Sequence, residues 1–393
     1  MSRVIDRPVT ERTGDWMETP GFGAYVHIPF CMHRCHYCDF NTYEGQDELH
    51  SPYVDAVIRE IQMSPLDRGL VSSIFFGGGT PTLLPPAELG RIVEAIADRF
   101  GCSSDAEVTV EANPETVDVT KFRALKSYGF NRVSIGVQSL VDRVLVGLGR
   151  THSADTARRA VEAAREAGFD DVNVDVIYGS PWESADEWTA TISGVVELGP
   201  DHVSAYALTI EEATPLATLI RTGRVPGVDP DIQADRYAVT NEALSRAGYT
   251  RYEISNWAKP GRASRHNVLY WLAGGYGGFG AGAHGHVDGL RWWNVRLPRD
   301  YIAATVNGDM PEAGREIVAG DARGGEALML GLRLRAGVPA DAFGERFGDS
   351  VLGSRAAEVK ALCGQGLLEY FDGRLRLTER GTFIANEVAS RLL

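Results

Sequence analysis

The chain has 393 residues, room for one large domain and one or two smaller ones. With 44% hydrophobic and 23% charged residues it has a globular composition, which excludes a disordered chain and a membrane-embedded one. A formal charge of -14, from 39 basic against 53 acidic residues, repels phosphate backbones and anionic lipid, so no nucleic-acid partner is expected and membrane contact is at most peripheral. In the N-terminal segment 1–21, charges mix with single apolar residues and no secretory-type apolar stretch occurs, so a cytoplasmic location is expected.

From residue 22 to 208, short β-like runs alternate with amphipathic helical stretches, the rhythm of repeated βα units on a parallel sheet. Strands are predicted at 24–28, 73–76, 107–112, 132–136, 172–179 and 202–208, with helices at 52–63, 86–100, 120–128, 154–167 and 184–197 between them. Six units make an α/β fold of the partial (β/α)6, TIM-like barrel kind, whose chemistry collects where the strands end and the βα loops open. Cys31, the Gly77-Gly78-Gly79-Thr80-Pro81 run, Glu111 with Asn113, Gln138 and Asp175 all fall at those ends. Residues 209–324 lack this rhythm and are expected to cover the open side. Within them, 268–287 carries seven glycines and two histidines, the wrong chemistry for a spanning helix, and reads as a buried or ligand-facing loop. Residues 325–393 have the helix, strand-turn-strand and helix order of a winged-helix-like module. Nine basic and eight acidic residues over 331–393 are too balanced for a DNA-reading wing, so structural packing is the expected role.

The sharpest chemical signal is Cys31-Met32-His33-Arg34-Cys35-His36-Tyr37-Cys38, a C-x3-C-x2-C loop directly after a strand. Three thiolates on one short loop can hold three corners of a cubane cluster and leave the fourth iron open to a small molecule's amino and carboxylate groups. The competing reading is a zinc site completed by His33 or His36. Cys102 and Cys363 stand alone and read as small buried residues. A second constellation, Arg265-His266-Asn267-Val268-Leu269-Tyr270-Trp271, offers an imidazole and aromatic faces, which share a helix face only if the stretch is helical. On its residues alone it reads as a hydrogen-bonded histidine with core aromatics.

The stretch YVHIPFCMHRCHYCDFN, together with GGGTPT, resembles the radical S-adenosylmethionine (SAM) family, and within it the branch of coproporphyrinogen dehydrogenases and haem chaperones. The resemblance covers about residues 22–390. It implies a six-unit partial barrel with a C-terminal helical module, and a [4Fe-4S] cluster on Cys31, Cys35 and Cys38. SAM would chelate the open iron and be cleaved to methionine and a 5'-deoxyadenosyl radical. Tyr25, Gly78, Gly79, Thr80, Glu111, Gln138, Arg150 and Asp175 match the family's SAM-binding positions. Missing side chains at the glycines would let backbone approach the methionine moiety, carboxylates suit ribose hydroxyls and Arg150 suits a carboxylate.

Departures within the family separate its two branches. Coproporphyrinogen dehydrogenases carry a further cysteine two residues after the third cluster cysteine, and here that position is Phe40. The H-N-x-x-Y-W run resembles the haem-binding signature of the chaperone branch, which implies haem at His266, Asn267, Tyr270 and Trp271, with His284 and His286 as further candidate ligands. The implied function is a haem chaperone that hands haem to an acceptor protein, with an electron donor for its cluster. The alternative is oxidative decarboxylation of coproporphyrinogen, and no catalytic residue is assigned.

Overall fold

Residues 21–393 are described by the structure, a computed structural model, so the predicted N-terminal segment lies outside them but for Gly21. The six predicted strands are present: β1 (Phe22–Ile28), β2 (Val71–Gly78), β3 (Cys102–Ala112), β4 (Arg132–Gln138), β5 (Val172–Tyr178) and β6 (His202–Ala207). They pair in parallel, in sequence order, as a curved partial barrel. The period-2 alternation of each strand sorts its residues between two environments. Val26, Ile74, Val110, Ile135, Val174 and Val203 face outward into a continuous apolar layer against helices His50–Met63, Pro86–Phe100, Val119–Ser127, Ala154–Glu166 and Ala185–Leu198. Ser73, Glu107, Thr109, Ser134, Asn173 and Ser204 face inward, so the barrel interior is buried but polar. The helices stop where local chemistry says they should. Ala185–Leu198 opens on a capping box between Ser184 and Glu187 and ends at Gly199 in the left-handed conformation.

Residues 209–324, expected to cover the open side, lengthen the sheet at both edges, giving twelve strands among the described residues. Beyond β6 come Asn256–Ala258 and Thr250–Arg251, antiparallel. Beyond β1 come Tyr276–Phe279, parallel to it, and then His284–Val287, Leu290–Asn294 and Glu312–Ile317 as an antiparallel meander. The stretch 268–287, expected as a loop, therefore contributes two strands. Its glycines allow close approach: a side chain at Gly285 would collide with the Trp292 ring of the neighbouring strand. The C-terminal module begins at helix Gly320–Gly331, earlier than residue 325. It carries the three-stranded sheet of Val338–Pro339, Leu368–Phe371 and Arg374–Leu377 and its own core around Leu328, Phe343, Leu362 and Leu375. No described helix is long and apolar enough to cross a membrane.

One buried carboxylate ties the added strands to the barrel. Glu60, on helix His50–Met63, accepts hydrogen bonds from the Gly280 amide (2.8 Å), the Asn294 side chain (2.6 Å) and the Tyr301 hydroxyl. Burial nevertheless pushes Glu60 up from 4.5 to about 7. Folding thus favours its protonated form, so its stabilisation is complete below about pH 4.5 and is lost as the pH rises to about 7. Urea unfolding at about pH 5 and about pH 7.5 should show a loss on the order of 3 kcal/mol in the wild type that is absent in Glu60→Gln. Equal slopes in the two proteins would contradict this assignment.

Candidate functional site

The cysteine loop is held by backbone before any ligand is considered. From β1 the chain passes through the short strand Phe30–Cys31, which pairs with Tyr43–Glu44. The end of β2 closes on it: the Gly79 amide donates to the Ile28 carbonyl and the Thr80 amide to the Phe30 carbonyl, both at 2.8 Å. A side chain at Gly79 would meet those two carbonyl oxygens at 2.8 and 2.5 Å. At Gly78, φ is +107° and the His27 ring fills the space a Cβ would need. The expectation that these glycines leave room for a ligand is corrected in part, because the protein itself occupies that room.

The far side of the loop is fixed by His36, whose amide donates to the Leu148 carbonyl (3.1 Å) and whose Nδ1 lies 3.1 Å from the Gly147 carbonyl. His33 instead faces Glu44 at 3.6 Å. His33 lines the same cavity as the three thiols, whereas His36 is turned away to the Gly147 carbonyl. Cys31, Cys35 and Cys38 all line one cavity of ≈ 430 Å³. Burial, and secondarily its thiol neighbours, pushes Cys31 up to about 11. These donors fit a [4Fe-4S] cluster.

The same cavity receives Gly78, Gly79, Thr80, Glu111, Gln138, Arg150 and Asp175, so the βα loops bring seven of the eight positions predicted for SAM to one mouth. Gln138 sits at a register break between β4 and β5 with φ of +64°, a bulge that turns its side chain into the cavity. Glu111 accepts from the Gly78 amide at 3.1 Å and is pushed up to about 8, first by burial and then by Asp175. Asp175 accepts from Ser134 (2.6 Å) and Asn173 (2.9 Å) and is also raised, mainly by burial. Two neighbouring carboxylates with no cation between them fit a ligand that brings hydroxyl donors and positive charge, as SAM does with its ribose and sulfonium. Arg150 lines the cavity with its guanidinium donating to Asn113 and Gly136, and its buried Nε has no partner. Tyr25 is the exception. It points into the barrel below the cavity, its hydroxyl 2.9 Å from His27 Nδ1 and its ring stacked on Phe75, and it does not line the mouth.

The H-N-x-x-Y-W run is helical, Arg265–Trp271, and lies across the opposite end of the barrel. Glu107 receives the amides of Arg265 (2.9 Å) and His266 (3.1 Å), four residues and roughly 13 Å of strand below Glu111. His266 is 1% exposed, and both ring nitrogens are engaged, Nδ1 with Ser73 at 2.9 Å and Nε2 with Tyr270 at 2.8 Å. Burial pushes the imidazole down to about 3 and keeps it neutral. In this arrangement both ring nitrogens of His266 are taken by protein partners. Tyr270 shares its face, whereas Asn267 and Trp271 do not. The Trp271 ring packs on the C-terminal core beneath the Arg333 guanidinium at 4.6 Å. His286 is also engaged, 3.4 Å from the Gly274 carbonyl and accepting from the Gly289 amide. His284 alone of these candidates is exposed, its ring stacked on Trp293 at 5.9 Å.

Sequence reasoning passed over Tyr37 and Tyr206, which line the cavity, and it placed Asn113 at a strand end without a role. The partners of Asn113 are 33 and 37 residues away.

Comparison with known proteins agrees with this architecture. Residues 25–193 match the radical SAM superfamily and 318–384 the HemN C-terminal domain. The heme chaperone HemW of Mycobacterium tuberculosis H37Rv is 41% identical over 377 residues, 95% of each chain. That of Bacillus subtilis is 36% identical over 94% of this chain and 98% of its own, and that of Escherichia coli K12 is 35% identical over 96% and 99%. Among solved structures, coproporphyrinogen III oxidase (HemN) of Escherichia coli superposes with a TM-score of 0.81 over 98% of this chain and 92% of its own, at 22% identity, a likeness of fold.

Because the space at Gly78 is taken by His27, Gly78→Ala should lower the stability of the protein without any ligand, by about 2 kcal/mol or more. Thermal unfolding of the cluster-free protein checks this. An unchanged Tm with weakened SAM binding would show that the glycine serves the ligand after all.

Proposed function

The chain belongs to the heme chaperone HemW family of radical SAM proteins, and on that premise we propose that it binds haem and passes it to an acceptor protein while carrying a [4Fe-4S] cluster and SAM. The observation that carries this reading is the single mouth where Cys31, Cys35 and Cys38 meet Glu111, Arg150 and Asp175. The cluster, when bound, supplies one-electron chemistry next to the SAM site. The protein's own contribution is to hold the thiols on a loop clamped by β2, to offer carboxylates to hydroxyl donors, and to keep Arg150 beside the cluster loop. An electron donor and a haem acceptor belong to the same reading.

The opposing reading, coproporphyrinogen decarboxylation, rests on a fold shared with HemN, and a shared fold does not carry an activity. Phe40, where that branch has a further cysteine, is 63% exposed at the cavity rim. A phenyl ring there can cover an apolar plane but cannot ligate metal.

For haem, His284 offers what His266 lacks. It is exposed on strand His284–Val287, lies against the Trp293 face, and has the Arg291 and Arg296 guanidiniums close enough to hold it below the usual histidine range, after burial. An accessible imidazole, an aromatic face and a cation for a propionate are groups a haem needs, and Arg296 supplies the cation, since Arg291 is already paired with Glu316 and Glu326. Haem titration followed by the Soret band should show affinity reduced about tenfold or more in His284→Ala, a loss of about 1.4 kcal/mol. His266→Ala should lower Tm and leave the spectrum intact. The reverse pattern would return the ligand to the H-N-x-x-Y-W helix.

A further inference from the structure

Two of the three cluster thiols receive side-chain hydrogen bonds, and both donors are held by one residue. Thr80 Oγ1 donates to Cys31 Sγ at 3.7 Å, and Arg150 Nη1 donates to Cys35 Sγ at 3.4 Å. Between them stands Asn113: its Nδ2 donates to Thr80 Oγ1 at 3.0 Å and its Oδ1 accepts from Arg150 Nη2 at 2.7 Å. The third thiol, Cys38, is served by the Phe40 backbone.

The proton inventory leaves this arch one arrangement. Arg150 has only donors, so the Asn113 amide must turn its oxygen to the guanidinium and its nitrogen to Thr80. Thr80 then accepts from Asn113 and has its single proton free for Cys31. Gly136 adds a second anchor on Arg150, its carbonyl accepting from Nη2 at 3.1 Å, while Thr80 is buried and has its amide fixed to the Phe30 carbonyl. Asn113 itself is placed by Pro114 and by the Thr116 amide and hydroxyl, which both donate to its carbonyl.

We infer that Asn113 is a positioning residue for the iron–sulfur cluster, holding Thr80 and Arg150 on two of its three thiolates and thereby raising its reduction potential. The inference rests on the reading that Cys31, Cys35 and Cys38 hold the cluster. Reduction adds negative charge to the cluster and its sulfurs, so donors aimed at those sulfurs stabilise the reduced form more than the oxidised one. A donor that is free to rotate away contributes less than one whose orientation is fixed from behind, which is what Asn113 does for both arms at once.

The test is the midpoint potential of the anaerobically reconstituted full chain, from electron paramagnetic resonance during a dithionite titration, with iron and sulfide measured on each sample. Asn113→Leu, which removes both holds, should shift the potential to more negative values at unchanged cluster content. Thr80→Val, which removes one arm and keeps the side chain's shape, should shift it the same way by less. The double variant should be shifted beyond Asn113→Leu by less than the whole Thr80→Val increment, because part of the Thr80 arm's effect depends on Asn113. Wild-type potential in a fully loaded Asn113→Leu, or a double variant shifted further by the whole Thr80→Val increment, overturns the inference. If Asn113→Leu does not take up a cluster, Thr80→Val decides, and an unshifted potential there overturns it. Failure of the wild type to load a cluster would instead defeat the cluster assignment beneath it.

Discussion

The close approach of the β2 glycine end to the strand that leads into the cysteine loop is the constraint on which the site depends. Gly79 and Thr80 donate their amides to the carbonyls of Ile28 and Phe30, and no side chain fits between those backbones at Gly79. That one junction fixes the loop's height above the barrel. It also brings the Gly78 amide onto Glu111 and the Thr80 hydroxyl onto Cys31, from which Asn113 and Arg150 follow. A site assembled from five strand ends is rigid because each member is oriented by the next, and the innermost contacts are backbone to backbone.

The barrel has two ends with different work. At the C-terminal end, thiols and carboxylates open into one cavity. At the N-terminal end, helix Arg265–Trp271 closes the floor, with Glu107 accepting its first amides and His266 locked between Ser73 and Tyr270. The helix also joins the two domains, since Val268 and Trp271 on its other side pack on the C-terminal core. A sequence signature can therefore mark a family through a structural keystone as well as through a ligand contact. The exposed His284, which sits on the strands added beyond β1, shows where an imidazole remains available.

Much of this was legible in the amino-acid sequence. The six barrel strands announce themselves because Val, Ile and Phe alternate with polar residues over lengths that suit a strand, and the cysteine loop follows the first of them directly. The strands Tyr276–Phe279 and His284–Val287 did not, because they are short and glycine-rich, and their pairing is set by neighbours rather than by their own propensity. The fate of His266 depends on Ser73, 193 residues away, and no local pattern carries that information. Likewise, Tyr25 was placed correctly in its strand, but only the curvature of the sheet decides that it points below the mouth instead of into it. Asn113 was visible in a turn at the right end of the barrel, yet its role exists only once Thr80 and Arg150 stand on either side.

The central claim is that this framework serves haem transfer and not porphyrinogen decarboxylation. Its most direct test uses one anaerobically reconstituted preparation of the wild-type chain, assayed in parallel for haem binding and for conversion of coproporphyrinogen to protoporphyrinogen in the presence of SAM and a reductant. The account predicts stoichiometric haem binding with no protoporphyrinogen formed. Sustained decarboxylation by that preparation would contradict it.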